Sequence, residues 1–546
     1  MPSFRLERKW MAVTWLVAAV LLAALLDGRT RGLLLNSFWL ATCTSAATIP
    51  AALVLATILI KFDVPGRRIA WIALVSALFL PLYLVATAWQ SALGLQGWMA
   101  QLMPDTSQPG PVLSGFAGAV FIHSVALWPS VTLLIAAGLA SVERVLEEDA
   151  LVSGPPLAVL IRVTWRRSVG SIFAALVWIF IVCVGEMTVT DLFQIRTFAE
   201  EIYVQTAGGA VWDLAGPAAS PPDAAGVSGR SFVLAVLLLG VMLLPAVAWC
   251  LGLIHRWQRA PAQSWWTVTP GGGRGAITAA VLLIVAIFIG LPLGSLFYHA
   301  GIFTEVTPDG YVADWSFLKG LAMIARAPAV HAEEILRTLV IGAAAATMAT
   351  ILAAALGVWA TFRAAGKFAV GMVAAVLAAI PGPLVGLWTI HALNQPPDSP
   401  LSFLSVLYDE ADFGFAPWLV QTLRVTPFAV LILVPAMLGT PRRLLESASL
   451  DGMGIGGKFR HVFLPLHWRS VAVAWLVALV LAIGELPATV LVAPPGVTPL
   501  SVRIFNLVHY GVDDQLAGLV LFVWLAVLVV TAAIFLLSAR SARLRL

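Results

Sequence analysis

Two glutamates stand where a membrane helix ordinarily carries no charge. Glu186 and Glu485 each follow a glycine, each precedes a threonine within four residues, and each lies deep in an apolar run. Glu485 is about fifteen residues beyond the inner boundary of its run, roughly 22 Å into a bilayer at about 1.5 Å of helical rise per residue. A carboxylate at that depth is costly and faces either a wet pathway or a partner. Lining a pathway, its hard oxygens suit a multivalent cation such as a ferric ion, whereas an organic cation also wants an aromatic wall. As a structural lock, it pairs with Arg424, with His123 or with a backbone terminus. Arg424 precedes Thr426-Pro427 and His123 precedes Trp128-Pro129, and such prolines break the helical ladder and free carbonyls toward a pathway. No second histidine or cysteine accompanies His123 in sequence, so it reads as a packing residue, while Arg424 joins Glu186 and Glu485 as a pathway candidate.

Hydrolytic chemistry finds no constellation. Gly452 to Lys458 fills the first seven places of a phosphate-binding loop, but Phe459 stands where a Ser or Thr must hold magnesium, and no strand precedes it. His331-Ala332-Glu333-Glu334 lacks the second histidine of a zinc-protease helix, and no Gly-x-Ser-x-Gly elbow with partners occurs. Cys43, Cys183 and Cys250 are spaced for neither a disulfide framework nor a zinc site. The chain is expected to be no enzyme, with no catalytic residue and no cofactor.

The elements that must position the charged groups are membrane helices. The 546 residues are 60% hydrophobic and 11% charged, a balance far from that of a soluble domain. Runs long enough to cross about 30 Å of hydrocarbon are expected at 10–26, 33–60, 69–88, 115–139, 168–188, 231–254, 277–297, 335–361, 369–392, 416–437, 470–491 and 515–538. The first follows Arg5, Arg8 and Lys9 but ends at Asp27-Gly28-Arg29 without a small-residue cleavage pattern, so it reads as an anchor and not a removed signal. The net charge of +4 is sorted by side and does not point to nucleic acid. With the N-terminus inside, the inner loops collect Lys61, Arg67, Arg144, Arg162, Arg166, Arg167, Arg256, Arg363, Arg442, Arg443, Lys458 and Arg460. The outer loops carry Asp191, Glu200, Glu201, Asp213, Asp398, Asp409 and Glu410. That asymmetry places both termini in the cytoplasm, with Trp89, Trp98, Trp265, Trp266 and Trp315 as interfacial anchors.

The chain also matches itself at an offset between 298 and 302. Leu35-Asn36-Ser37 falls against Leu336-Arg337-Thr338, Leu80-Pro81-Leu82 against Ile380-Pro381-Gly382, and Val184 to Thr190 against Ile483 to Thr489. In the polar stretches between runs, Glu148-Asp149-Ala150 and Gly154 repeat as Glu446-Ser447-Ala448 and Gly452. About twelve helices in two parallel six-helix repeats are expected, the first repeat over 1–262 with its patterned loop at 141–168, the second over 277–546 with its loop at 440–469. Between them, 263–276 holds Pro270-Gly271-Gly272-Gly273 and no periodicity, as a cytoplasmic linker would. In the second loop, Pro441 starts a short helix and Gly452 ends it with a positive φ, while Leu464-Pro465 stops a second one before the membrane is re-entered.

The loop from Glu446 to Pro465 resembles the EAA motif of ATP-binding-cassette importer permeases: Glu-Ala-Ala, three residues, Gly, nine residues, Ile, one residue, Leu-Pro. Ser447 replaces the first Ala and Val462 the Ile. The first copy keeps Glu148, Ala150 and Gly154, but Pro155-Pro156 follow the glycine and Arg166-Arg167 occupy the Leu-Pro places. The resemblance implies an all-α integral membrane protein of the type I importer fold in a bacterial inner membrane. It also implies two cytoplasmic ATPase subunits, an extracytoplasmic substrate-binding protein, and contact to the ATPases through Glu446, Ala448, Gly452, Leu464 and Pro465 and through Glu148, Ala150 and Gly154. Membrane lipid is the remaining partner. The segment from Gly484 to Leu500 is similar to fused ferric-iron permeases, which puts ferric iron first as solute, with thiamine, sulfate or a polyamine as alternatives. A gradient-driven secondary transporter could also show a twelve-helix repeat but has no use for two such loops.

Overall fold

The computed structural model describes residues 21–22, 24–94, 97–101, 113–207, 233–240, 273–307, 310–409, 414–510 and 513–543. Most of the expected linker at 263–276 lies outside these residues, as do most of the runs at 10–26 and 231–254. Among the described residues, seven helices are long and apolar enough to cross a membrane, and three further helix pairs meet at sharp bends. The chain is an integral membrane protein built of helices, with one short hairpin among the described residues.

The first series opens with α1 (Gly28–Lys61), capped by the Asp27 carboxylate, which accepts the Thr30 N–H at 3.1 Å. Next come α2 (Arg67–Leu78) and α3 (Leu82–Leu93), then α4 (Gly115–Ala140). They are followed by α5 (Arg144–Ser153), α6 (Pro156–Arg167), α7 (Val169–Gly185), α8 (Thr188–Leu192) and α9 (Phe198–Ala207). A long helix, α10 (Arg274–Gly301), leads into an antiparallel hairpin of β1 (Ile302–Thr307) and β2 (Gly310–Trp315), with Ile302 opposite Trp315, and then α11 (Phe317–Val330). The hairpin was not expected from a reading tuned to long apolar runs, because two six-residue strands leave little periodicity to detect.

The second series repeats the order: α12 (Ala332–Phe362), α13 (Ala364–Ala379), α14 (Gly382–Leu393), α15 (Phe415–Leu438), α16 (Arg442–Leu450), α17 (Ile455–Ile483), α18 (Thr489–Val492) and α19 (Leu500–Tyr510). The chain closes with α20 (Asp513–Arg543). Helices α12 and α15 approach closely because α12 turns a stripe of small side chains inward, with Ala345, Ala346, Ala349 and Ala353 fully buried against Val425, Ala429 and Leu433.

Four spans differ from the straight helices expected. The runs at 69–88 and 369–392 are not single helices: α2 and α3 meet at 109°, α13 and α14 at 98°. The cause is Pro81 and Pro381, whose rings exclude Leu80 and Ile380 from helical geometry while themselves starting the next helix. The runs at 168–188 and 470–491 end early, at Gly185 and Ile483, and each gives way to a short turn and a short helix.

Candidate gate and coupling elbows

Those early endings reposition the two glutamates. Glu186 is the residue after α7, and Glu485 follows Gly484 past α17. Neither therefore projects from the middle of a helix. Each folds back on the next turn. Into Glu186 Oε1 the Thr188 N–H donates at 2.6 Å and the Thr188 hydroxyl also donates, while the Val189 N–H donates to Oε2 at 3.0 Å. Into Glu485 Oε1 the Ala488 N–H donates at 2.9 Å; Oε2 accepts the Thr489 N–H at 2.9 Å and the Thr489 hydroxyl. Both carboxylates are buried, and both satisfy the open N–H groups at the start of α8 and α18.

A basic side chain from α4 faces one carboxylate and a basic side chain from α15 faces the other. His123 Nε2 on α4 lies 3.6 Å from Glu186 Oε2, and Arg424 Nε on α15 lies 3.9 Å from Glu485 Oε1. His123 and Arg424 are 301 positions apart and so occupy equivalent places in the two series. Arg424 also donates to the Ile380 carbonyl at 2.8 Å, so it ties the bend between α13 and α14 to the Glu485 turn. His123 Nδ1 is held at 2.8 Å from the Ala119 carbonyl. His123 thus belongs to a polar pair, one of the lock partners weighed for the glutamates from sequence, although its partner lies 63 residues away.

The two turns then interlock the two series. Gly185 packs on Pro381 of the second series, and Gly484 packs on Pro81 of the first. An added Cβ at Gly185 would meet Pro381 Cα at 3.4 Å; one at Gly484 would meet Pro81 Cγ at 2.5 Å. Gly382 and Gly386, on α14, leave room for Pro487, Ala488 and Leu491. Two bends, two glutamate turns and two basic residues thus meet across the interface between the series. Among the described residues no group of three His, Cys, Asp or Glu side chains is placed to hold a metal ion.

The patterned loops form two elbows. In the second, α16 ends at Leu450 and Gly452 adopts φ 75°, the left-handed conformation expected of it. Ala448 is buried, whereas Glu446, Leu464 and Pro465 are exposed. Leu464-Pro465 does not stop the helix. A π turn over Phe459–Phe463 carries the backbone directly into the membrane segment, and the Leu464 N–H reaches the Phe459 carbonyl. The widened ladder sets Pro465 in the first turn after it, where its missing donor and its ring do little harm.

In the first elbow, α5 spans Arg144–Ser153, and Pro155-Pro156 start α6 instead of disrupting it. The same π turn recurs over Leu160–Thr164, followed by a 60° bend at Ser168. Glu148 is bound to Arg144 at 2.5 Å on the surface, and Ala150 is half-buried. Gly154 is extended at φ −165°, a conformation that any residue adopts.

Sequence reading overlooked the apolar tips of both elbows. Val152 and Leu450 are each 89% exposed, and Leu157 and Ile455 are 66% and 61% exposed. Both pairs are 298 residues apart, the same offset as Glu148 and Glu446. The motif's letters decay in the first copy, yet the exposed apolar positions persist. The signal lay in the positions between the motif letters.

No family model matches the chain. It is 28% identical over 250 residues to the putative 2-aminoethylphosphonate transport system permease protein PhnV of Salmonella typhimurium strain LT2, a match covering 44% of this chain and 85% of that protein. The same protein of Salmonella paratyphi A matches to the same extent. Over 214 residues it is 27% identical to the putrescine transport system permease protein PotI of Escherichia coli strain K12, covering 37% of this chain and 69% of that protein.

Proposed function

We propose that this relative of transport-system permeases is the membrane-spanning subunit of an ATP-binding-cassette importer, inserted in a bacterial inner membrane and driven by separate ATPase subunits. The observation that carries this reading is the pair of elbows. Each is a short helix off the bundle, on the side that the basic residues assign to the cytoplasm, and each presents two large apolar side chains at equivalent positions. Apolar groups that exposed call for a covering partner, and two equivalent surfaces suit two copies of one ATPase. In this reading 1–262 and 277–546 are the two permease repeats, and an external binding protein delivers solute to the face where α8, α9 and α19 lie.

The interlocked turns serve as the gate between the repeats. Glu186, Glu485 and Arg424 hold its bends and turns in place, since the carboxylate oxygens are already engaged by the backbone. The solute class proposed here draws on the names of the relatives: 2-aminoethylphosphonate and putrescine share a primary amine on a short carbon chain. A small amine-bearing solute is favoured over ferric iron, the first expectation from sequence.

Docking is tested by Leu450→Asp and Val152→Asp, made singly. Each places a charge in an apolar contact that an ATPase would desolvate, and co-purification of the ATPase from membranes is expected to fall at least tenfold. Undiminished co-purification in both variants would sink the elbow assignment.

A further inference from the structure

The two elbows are fastened to the membrane bundle by different chemistry at matched places, although the second also has a buried Thr440–His467 hydrogen bond at its root. At the first, Lys61, the last residue of α1, donates to Glu147 Oε2 at 2.7 Å, with both side chains completely buried. The Thr164 hydroxyl, in the π turn, donates to Glu147 Oε1 at 2.7 Å. One carboxylate thus joins the end of α1, the elbow helix α5 and the π turn of α6. A second tie runs alongside it: the Trp165 indole N–H donates to the Thr57 hydroxyl of α1 at 3.1 Å.

The equivalent places in the second series are apolar. Phe362 ends α12 as Lys61 ends α1, Leu445 is 298 positions after Glu147, and Phe463 closes the second π turn as Thr164 closes the first. Phe362 and Phe463 meet edge to face with ring centroids 6.2 Å apart, and Leu445 packs on the same cluster. Lys458 lies over the Phe362 ring at 5.4 Å. Apolar contact has no preferred direction and can slide, whereas a buried, hydrogen-bonded ion pair holds one geometry. Breaking it would leave a charge stranded away from water.

We propose that Lys61, Glu147 and Thr164 form a transmission clamp, a set of positioning residues that obliges α1 to follow the first elbow when an ATPase displaces it. The inference rests on the importer reading. It makes the first elbow the stiff arm of the transporter and the second the compliant one, although the second keeps the motif better. Glu147, one residue before the motif glutamate Glu148, carries the function in the first copy.

The test is the number of ATP molecules hydrolysed per solute imported, measured in proteoliposomes with the ATPase and binding protein. K61M/E147L removes both charges together, and T164V removes one hydrogen bond while keeping the ion pair. The double variant is expected to retain ATPase co-purification and basal hydrolysis while its ATP-to-solute ratio rises at least threefold, with a smaller rise for T164V. A wild-type ratio in the double variant would overturn the clamp. If the double variant fails to accumulate in membranes, T164V decides: a raised ratio supports the clamp and an unchanged one rejects it. Wild-type uptake that needs no ATPase would instead reject the importer reading itself, so the two failures are distinct.

Discussion

Gly452 and Gly154 occupy matched positions, yet only one needs to be glycine. Gly452 sits at φ 75° and Gly154 at φ −165°, so a β-branched side chain is strained only at the former, at a cost of about 1–2 kcal/mol. Gly452→Val is therefore expected to weaken ATP-coupled uptake several-fold without loss of membrane insertion, whereas Gly154→Ala, with no atom but the Ala150 carbonyl within reach at 3.9 Å, leaves uptake unchanged. Paired uptake assays decide it, and equal effects would contradict the account. At this scale the sequence was legible where backbone conformation dictates residue type, as at Gly452. It left two readings open at Glu186 and Glu485, pathway or lock on a backbone terminus, because depth in an apolar run does not reveal where the helix stops. Glu147 was overlooked for a related reason: its neighbour Glu148 fits the motif, and only burial separates the two.

Helix endings and bends do most of the work of the elements. Pro81 and Pro381 were visible in sequence as repeat mates, and the backbone restriction that they impose on the preceding residue accounts for both bends. What spacing did not show is that each bend docks against a glycine of the opposite series. The fit is unequal, since a Cβ at Gly484 would lie 2.5 Å from Pro81 Cγ but one at Gly185 would lie 3.4 Å from Pro381 Cα. Overpacking of this kind costs about 1–3 kcal/mol. Gly484→Ala is expected to lower the melting temperature in detergent and slow uptake, with Gly185→Ala close to wild type. The reverse order of effects would show that the interlock is wrongly placed.

The whole molecule is closed by contacts between the series as well as within them. Opposite the elbows, His509 on α19 lies 3.1 Å from Asp191 on α8, and the rings of Tyr203 and Phe505 meet edge to face at 6.1 Å. The hydrogen bond to Asp191 raises the His509 pKa above its ordinary 6.5, with partial burial opposing the shift. The latch is accordingly complete below pH 6.5 and is lost as pH climbs through the raised value. Glu200 nearby, pushed up to about 7 by burial first and then by Glu201 and Asp191, also changes charge as pH rises, so the variant His509→Gln separates the two. Labelling of a cysteine introduced at the exposed Val204 is expected to quicken with rising pH in the parent and to change less in His509→Gln; identical profiles would remove His509 from the latch.

The recurring order of bends, elbows and glutamate turns among the described residues was legible because helix-breaking prolines and loop glycines recur at an offset that stays between 298 and 302. The solute was not, because intramembrane carboxylates look alike in sequence whether they bind cargo or cap a turn. The most direct measurement of the central claim is uptake of labelled putrescine, 2-aminoethylphosphonate and ferric ion into proteoliposomes containing this chain, its ATPase and its binding protein, with and without ATP. The account predicts accumulation of an amine-bearing solute that requires both ATP and the ATPase. Accumulation driven by an ion gradient in vesicles lacking the ATPase would contradict it.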